Sequence, residues 1–252
     1  DMLAAGCTVG ALRDAGCTAR ELSTAGCTLE QIKAAGYEAR LTEAARYGSF
    51  AAAMAAGHSL EEMNAAGWAV SMSRLRGPPD RCAVHDEVEL TLKFNGDFCT
   101  FGLNEMVTTK GVIYMEVEIV ERLLYPQLGF ASSAFEVGID RKCGDGVGDD
   151  ADSWGVDGHR SRLWHRGDKR WGGTWSVGDI IGLAANVDSG KMAVSKNGSW
   201  SGDGFGVVFE DAKIKAGVYP ALTAQGGVLR YQTFAPFRFA PPSASPELWL
   251  NA

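Results

Sequence analysis

Apolar positions recur with a period of ten along the first seventy residues. Leu12, Leu22 and Ile32 each stand four residues before a glycine, and Gly6, Gly16, Gly26 and Gly36 each follow alanine. The pattern slips near Tyr47-Gly48 and resumes at Ala56-Gly57-His58-Ser59 and Ala66-Gly67-Trp68. Thr18 precedes Glu21, Thr28 precedes Gln31 and Ser59 precedes Glu62, each pair three residues apart. That is the capping-box spacing, in which a hydroxyl accepts from the N3 amide and the N3 side chain answers the cap amide. Ala-Gly then closes the unit, with glycine in the left-handed conformation past the C-cap. Each unit reads as a helix of about two turns. Helices this short are marginal alone, since isolated ones need roughly 12–15 residues. They must bury Leu12, Leu22, Ile32 and Met63 against neighbours, so the pattern predicts a stacked array.

Beyond the repeats the period changes from ten to two. Met72 and Leu75 continue the helical pattern, but Arg76-Gly77-Pro78-Pro79-Asp80 cannot, because two prolines deny the helix its ladder. Ser71–Asp80 therefore reads as a linker. Val88, Leu90, Leu92 and Phe94 alternate with polar residues, predicting a strand over Asp86–Phe94 that ends at Asn95-Gly96-Asp97. Ile180–Ala185 is an apolar run between turn residues, which reads as a buried strand. Lys191–Ser195 alternates again and meets Asn197-Gly198, the strongest two-residue hairpin signal. Strand, turn, strand and Asn-Gly turn together describe an antiparallel meander.

Composition adds boundaries. Apolar residues make up 46% and charged residues 22%, as in an ordinary globular chain. Of the acidic excess, most lies after Gly77, where 17 basic residues face 23 acidic ones; before it the counts are 7 and 8. An acidic second part repels phosphate backbones, so nucleic acid is not expected as a partner. No apolar run approaches the ~20 residues that span a bilayer, so association with a membrane complex would not use a spanning segment. Cys7, Cys17 and Cys27 follow successive glycines, while Tyr37, His58 and Trp68 hold the same slot further on. A metal row would not tolerate those replacements; a small apolar residue packing back on its own helix would. With Cys82, Cys99 and Cys143 they form no C-x-x-C pair. Buried thiols, no disulfide framework and a reducing intracellular compartment are expected, cytoplasmic by default.

The chemistry-bearing motifs are sparse. Gly190-Lys191 lacks the phosphate-loop spacing, and Met192 stands where a magnesium-binding hydroxyl would be needed. His159 and His165 have no partner at zinc spacing. Asp145–Asp157 is rich in aspartate, but a calcium loop starting at Asp150 would carry Trp154 at its fifth position and Ser161 at its twelfth, where a bidentate glutamate is required. Tight Asp/Gly turns explain the segment better. No catalytic residue, cofactor or metal is expected. Asn197-Gly198-Ser199 matches a glycosylation acceptor but reads first as the hairpin turn. Trp164 and Trp171 flank the charged loop His165–Arg170, and aromatic and arginine residues on loops are the usual interface anchors. Core packing is the plainer reading of each tryptophan, and a solvated face that of His159, Arg160, Arg162 and Arg166.

Gly178-Asp179-Ile180-Ile181-Gly182 followed by Lys196-Asn197-Gly198 resembles the core signature of the SPRY domain, the β-sandwich also found in B30.2 modules. Gly111–Val117 resembles its opening strand, with Met115 where tryptophan is usual. Gln127–Ala131, Asp152-Ser153-Trp154-Gly155, Val218–Leu222 and Phe234–Phe237 resemble further strands in the family's order. The variant Gly146–Asp150 before Ser153-Trp154, with Trp164-His165 after it, resembles SPRY domains of algae and related protists. The resemblance covers Glu87–Pro242. It implies a mainly β fold: a SPRY-type antiparallel β-sandwich (87–242) after a short α-helical repeat region (1–76) and a linker (77–86), with a C-terminal tail (243–252).

The resemblance further implies a binding module and no enzyme, with loops at one end of the sandwich recognising a partner protein. Carried over by motif, those loops are Arg122–Pro126, Asp157–Arg162 and Ala224–Gly226. The expected contact residues are Arg122, Tyr125, Asp157, His159, Arg160, Arg162, Trp164, Arg166, Trp171 and Gln225. In the SOCS-box subfamily the last loop reads Val-Trp-Gly; here it is Ala224-Gln225-Gly226, which weighs against that subfamily's peptide specificity. No RING, B-box, coiled-coil or SOCS-box pattern is present, so ubiquitin ligation is not expected of these residues. The leading expectation is an adaptor whose helical repeats give a second contact or set spacing. The alternative is a structural subunit fixed in a large assembly, such as a photosynthetic complex in a chloroplast or an axonemal complex.

Overall fold

The computed structural model describes residues 7–47, 53, 56, 58, 60–68, 72–78, 83–86, 90–137, 145–233, 236–242 and 249. The Ser59 cap, Val88, Cys82, Cys143 and nearly all of the tail lie outside them. The chain divides into two compact units, 1–70 and 71–252.

In the first unit the repeat builds α1 (Val9–Asp14), α2 (Ala19–Thr24), α3 (Leu29–Ala34), α4 (Ala39–Ala45) and α5 (Leu60–Ala65). Thr8, Thr18 and Thr28 cap the first three helices, and the Thr18 and Thr28 boxes are both closed. At the other end of α1, Gly16 N donates to Arg13 O and Cys17 N to Leu12 O, at 2.8 and 3.0 Å. These are the two bonds that close a helix through a left-handed glycine. Trp68 N repeats the second of them on Met63 O after α5. Leu12, Leu22, Ile32 and Met63 are buried. The array is tied across its length: Arg20 N donates to Ala66 O at 2.9 Å, and the Arg20 guanidinium lies 3.2 Å from the Trp68 ring centroid. Trp68 Nε1 donates to Ala44 O at 2.9 Å.

The cysteines of this unit depart from expectation. Cys7, Cys17 and Cys27 are free, as expected, but Cys7 is exposed and the other two only half-buried. Their slot follows the helix closure, and the main chain rather than the side chain makes the closing bond.

The second unit is antiparallel throughout. In order along the sheet its strands are β11 (Gly206–Glu210), β10 (Lys191–Lys196), β9 (Ile180–Asn186), β4 (Val112–Ile119), β12 (Val218–Gln232), β5 (Gln127–Ser132), β6 (Ser153–Asp157), β7 (Arg162–Trp164) and β8 (Asp168–Arg170). β3 (Thr91–Gly102) also pairs with β12, and carries β1 (Ser73–Arg76) and β2 (Ala83–Asp86). The sheet curls, and β12 is the strand that makes this possible. Its first half pairs with β5 and its second with β4. The hand-over falls near Gly227, whose φ is 98°. A Cβ there would lie 2.3 Å from Arg122 O, so only glycine fits. Trp154, Phe130, Tyr219 and Met115 fill the interior.

Three expectations need correction. Ser73–Arg76 and Ala83–Asp86 are strands on β3, not linker, because their backbones find an edge to pair with. The Asp86–Phe94 strand is interrupted where Leu90 takes a φ of 51°. β3 then runs through Asn95-Gly96 instead of ending there, absorbing the turn residues as a bulge opposite Ala224–Gly226. Cys99, fully buried in β3, is disulfide-bonded, against the expectation of free thiols throughout.

The Asn-Gly hairpin forms as read. Asn197 and Gly198 have φ of 50° and 81°, and Lys196 and Ser199 exchange both backbone bonds.

Candidate functional site

Three stretches meet at one end of the curled sheet. The first is the connection from β4 to β5. Leu124 N donates to Gly226 O and Leu124 O accepts from Gln225 N, both at 2.9 Å, which pins this loop to the bend of β12. Tyr125 is left at a φ of 50° with its side chain half in solvent. The second is the β6–β7 turn, organised by Asp157. Its side chain is wholly buried, and its carboxylate accepts from the backbone N–H of His159 and of Arg160, each at 2.9 Å, and from Arg160 Nε. An aspartate accepting from the following amides is the ordinary way to close such a turn. The third is Ala224–Gly226 itself.

The turn aims Arg160 between two aromatic rings. Its guanidinium carbon lies 4.9 Å from the Tyr125 centroid and 4.8 Å from that of Trp164, both within cation–π range. Arg122 donates to His159 Nε2 through Nε at 3.1 Å and Nη2 at 2.6 Å, joining the first stretch to the second.

Beneath Arg160 lies a pocket of about 320 Å³ lined by Phe98, Tyr125, Gln127, Asp149, Arg160, Trp164 and Gln225. Its buried wall is polar. Gln127 Nε2 donates to Asp149 Oδ1 at 3.0 Å, and Gly146 N donates to Asp149 Oδ2 at 2.6 Å. Burial pushes the Asp149 carboxyl above the usual aspartate range, and those two hydrogen bonds only partly offset it.

Of the expected contact residues, Tyr125, Arg160, Trp164 and Gln225 therefore line one pocket; Asp157 holds Arg160 in place, and Arg122 and His159 bond to each other in the adjoining loops. Arg162, Arg166 and Trp171 do not line it. Arg162 pairs with Asp168 at 3.1 Å along the β7–β8 hairpin, and Arg166 is exposed in the turn between those strands. Trp171 is 9% exposed, donates to Gly204 O at 2.7 Å and packs edge-on against Trp175 and Phe205. That is the packing role rather than the interface anchor. Trp154 is fully buried and Trp175 half-buried.

Sequence reasoning missed Phe98, Gln127 and Asp149. The Gln127–Ala131 strand was legible as a strand, but a glutamine at its head says nothing of burial. Gln127 is 1% exposed because β5 is paired on both sides and the Asp145–Asp150 loop covers it.

His165 belongs to the scaffold. It stacks on Trp154 at 5.2 Å, donates through Nδ1 to Ser153 O at 2.9 Å and places Nε2 3.2 Å from Asp211 Oδ2. Both nitrogens are committed. In the aspartate-rich segment, Asp150 serves Arg76, the Asp152 amide and the Ser153 hydroxyl. Among the described residues no helix is long and apolar enough to cross a membrane.

Two family models match the two parts of the chain. Residues 1–76 match the decapeptide repeat region, and residues 96–234, more than half of the chain, match the SPRY domain. Among curated proteins the chain is 30% identical over 116 residues to the E3 ubiquitin-protein ligase RKP of Arabidopsis thaliana, covering 46% of this chain and 9% of that protein. Among solved structures it is similar to the crystal structure of the SPRY domain of human HERC1, with 16% identity and a TM-score of 0.48 over 64% of this chain and 99% of that one. The chain belongs to the SPRY domain family, its SPRY domain following a decapeptide repeat region.

Proposed function

We propose that this chain is a non-catalytic recognition adaptor whose SPRY pocket, framed by Tyr125, Arg160 and Trp164, receives a segment of a partner protein. SPRY domains are protein-interaction modules, and the observation that carries the reading here is the arginine clamped between two aromatic rings above a concave pocket. Tyr, Trp and Arg dominate interface hot spots because they bring large contact area at low ordering cost. The buried Asp157 fixes Arg160 before any partner arrives, which cuts the entropy lost on binding. Leu124 and Tyr125, both substantially exposed, add apolar surface beside it. The repeat array supplies a second contact or sets spacing. The Arabidopsis relative is named as a ubiquitin ligase, but the chain spans only 9% of it, and we propose recognition alone.

The test is affinity capture with the full chain, followed by titration of each purified partner. Tyr125→Ala should weaken binding by at least tenfold, about 1.4 kcal/mol, with an unchanged melting temperature; Arg160→Ala should weaken it as much but also lower the melting temperature, because the buried Asp157 loses its partner. Partners that bind both variants as tightly as the parent would remove the pocket from the interface.

A further inference from the structure

Two loops build the clamp around Arg160. The β4–β5 connection carries Tyr125 and the β6–β7 turn carries Arg160, so the placement of one loop against the other decides whether ring and guanidinium meet. The first loop is pinned to β12 through Leu124, but side chains link it to the turn. Arg122 donates to His159 Nε2 through Nε at 3.1 Å and Nη2 at 2.6 Å. His159 itself stands on a fixed backbone, since its N–H donates to the buried Asp157 carboxylate at 2.9 Å.

A guanidinium offers donors only and keeps its protons. The ring nitrogen it meets must therefore accept, which fixes His159 as a neutral imidazole with its proton on Nδ1. A second proton removes that lone pair and sets two cations face to face, with Arg160 adding a third on the same turn. The acids nearby do not offset this. Asp157 already accepts from the His159 and Arg160 amides and from Arg160 Nε. Asp179 lies in the turn whose Trp175 packs on Gly158, and it accepts from Ser176 N and Asn197 Nδ2, both at 2.8 Å. Glu121, beside Arg122 in sequence, is exposed, and an ion pair there is worth little.

We propose that the Arg122–His159 pair is a proton-sensitive tie, which holds the recognition surface together while His159 is neutral and releases the Tyr125 loop when it is charged. This step rests on the recognition role proposed above and adds its regulation. Histidine is the side chain that ordinarily changes charge between about pH 5 and 8. At neutral pH the partner meets loops already in place. In acid it must order the Tyr125 loop itself, and that ordering costs affinity.

One arm of the test needs no partner. In the full chain labelled with nitrogen-15, the His159 ring nitrogens and Arg122 Nε are assigned by their loss in His159→Gln and Arg122→Lys. At pH 7.5 the ring should carry its proton on Nδ1, and the Arg122 Nε signal should move in step with His159 as pH falls to 5.5. A proton on Nε2 at pH 7.5, or an Arg122 signal indifferent to the titration, overturns the proposal. The other arm uses a captured partner. Its affinity for the parent should fall about threefold from pH 7.5 to pH 5.5, the size of one exposed link. His159→Gln can accept the bonds but cannot gain a charge, and it should remove that fall. Comparing the two chains cancels any contribution of Asp149, whose raised carboxyl is common to both. An equal fall in both chains overturns the proposal. The two readings fail separately. A tie seen by resonance, with partner binding untouched by Tyr125→Ala, sinks the recognition role alone. Partner binding lost in Tyr125→Ala, but equally pH-dependent in the parent and His159→Gln, sinks the tie alone.

Discussion

The Arg76 guanidinium donates to the Asp150 carboxylate at 2.9 Å across 74 residues of sequence. The same side chain donates to Glu136 O at 2.7 Å and Asp145 O at 3.0 Å, and lies 3.6 Å from the Phe135 centroid. At 5% exposure it is one of the most buried charges in the unit. Asp150 in turn holds Ser153, whose hydroxyl accepts from Gly148 N at 2.7 Å. The loop that carries Asp149 into the pocket wall is thus fixed from β1, a strand that lies outside the region matched to the SPRY domain.

Replacing Arg76 with alanine should therefore destabilise the chain by about 3 kcal/mol, the low end for breaking a buried pair, because Asp150 keeps partial access to water. Arg76→Lys should recover only part of that, since an ammonium cannot reach both carbonyls and the carboxylate in one fork. Urea denaturation measures both. Equal stability of the alanine variant and the parent would show that the loop is held by other means.

Asp149 makes stability fall with rising pH. Its carboxyl is raised in the folded state by burial, so the folded chain holds the proton more tightly than the unfolded one. The resulting penalty is absent below the ordinary aspartate value of 3.8 and grows as pH rises through the folded value. Denaturation of the parent and of Asp149→Asn from pH 4 to pH 7 should show the parent losing stability relative to the variant. A constant difference would mean that the carboxyl is not desolvated.

Asn197 should be worth more than its turn propensity. Its Oδ1 accepts from Ile180 N at 2.9 Å and its Nδ2 donates to Asp179 Oδ1 at 2.8 Å, besides holding a φ of 50°. Asn197→Ala should cost about 2 kcal/mol, from the lost bonds and the left-handed backbone. Asn197→Asp keeps the acceptor but faces Asp179, and its added cost should shrink as salt rises. Thermal unfolding at two ionic strengths reads both effects.

In the repeat unit, Thr18→Ala removes a closed capping box and should cost about 1 kcal/mol. Glu21 answers that cap, and its carboxyl is held below the usual range mainly by the Thr18 backbone N–H. This contribution is present above the ordinary glutamate range and is lost as pH falls through the folded value. Helix content followed by circular dichroism on the full chain should show Thr18→Ala melting earlier at pH 7, with the gap narrowing in acid. No gap at pH 7 would mean that packing alone holds α2.

Much of this was legible from the residues. The ten-residue period specified helix ends as well as helices, because capping and left-handed closure are made within one unit and its flanks. Asn197-Gly198 specified its hairpin for the same reason. Tyr125, Arg160 and Gln225 were placed on rim loops by motif. The linker assignment of β1 and β2 was lost because a short strand is defined by the edge it finds, here β3, far along the chain. Trp171 read as a loop anchor because a charged hairpin surrounds it, whereas its ring turns inward onto Trp175 and Phe205.

The sequence by itself determined what short-range bonds decide: the repeat, the caps, the Asn-Gly turn and the alternation of the meander. Only the tertiary structure decided that Gln127 and Asp149 would be shut into one wall and that Arg76 would hold that wall from outside the matched region. Burial and pairing at those positions come from strands distant in sequence, and no local pattern of residue types encodes which polar atom loses its water.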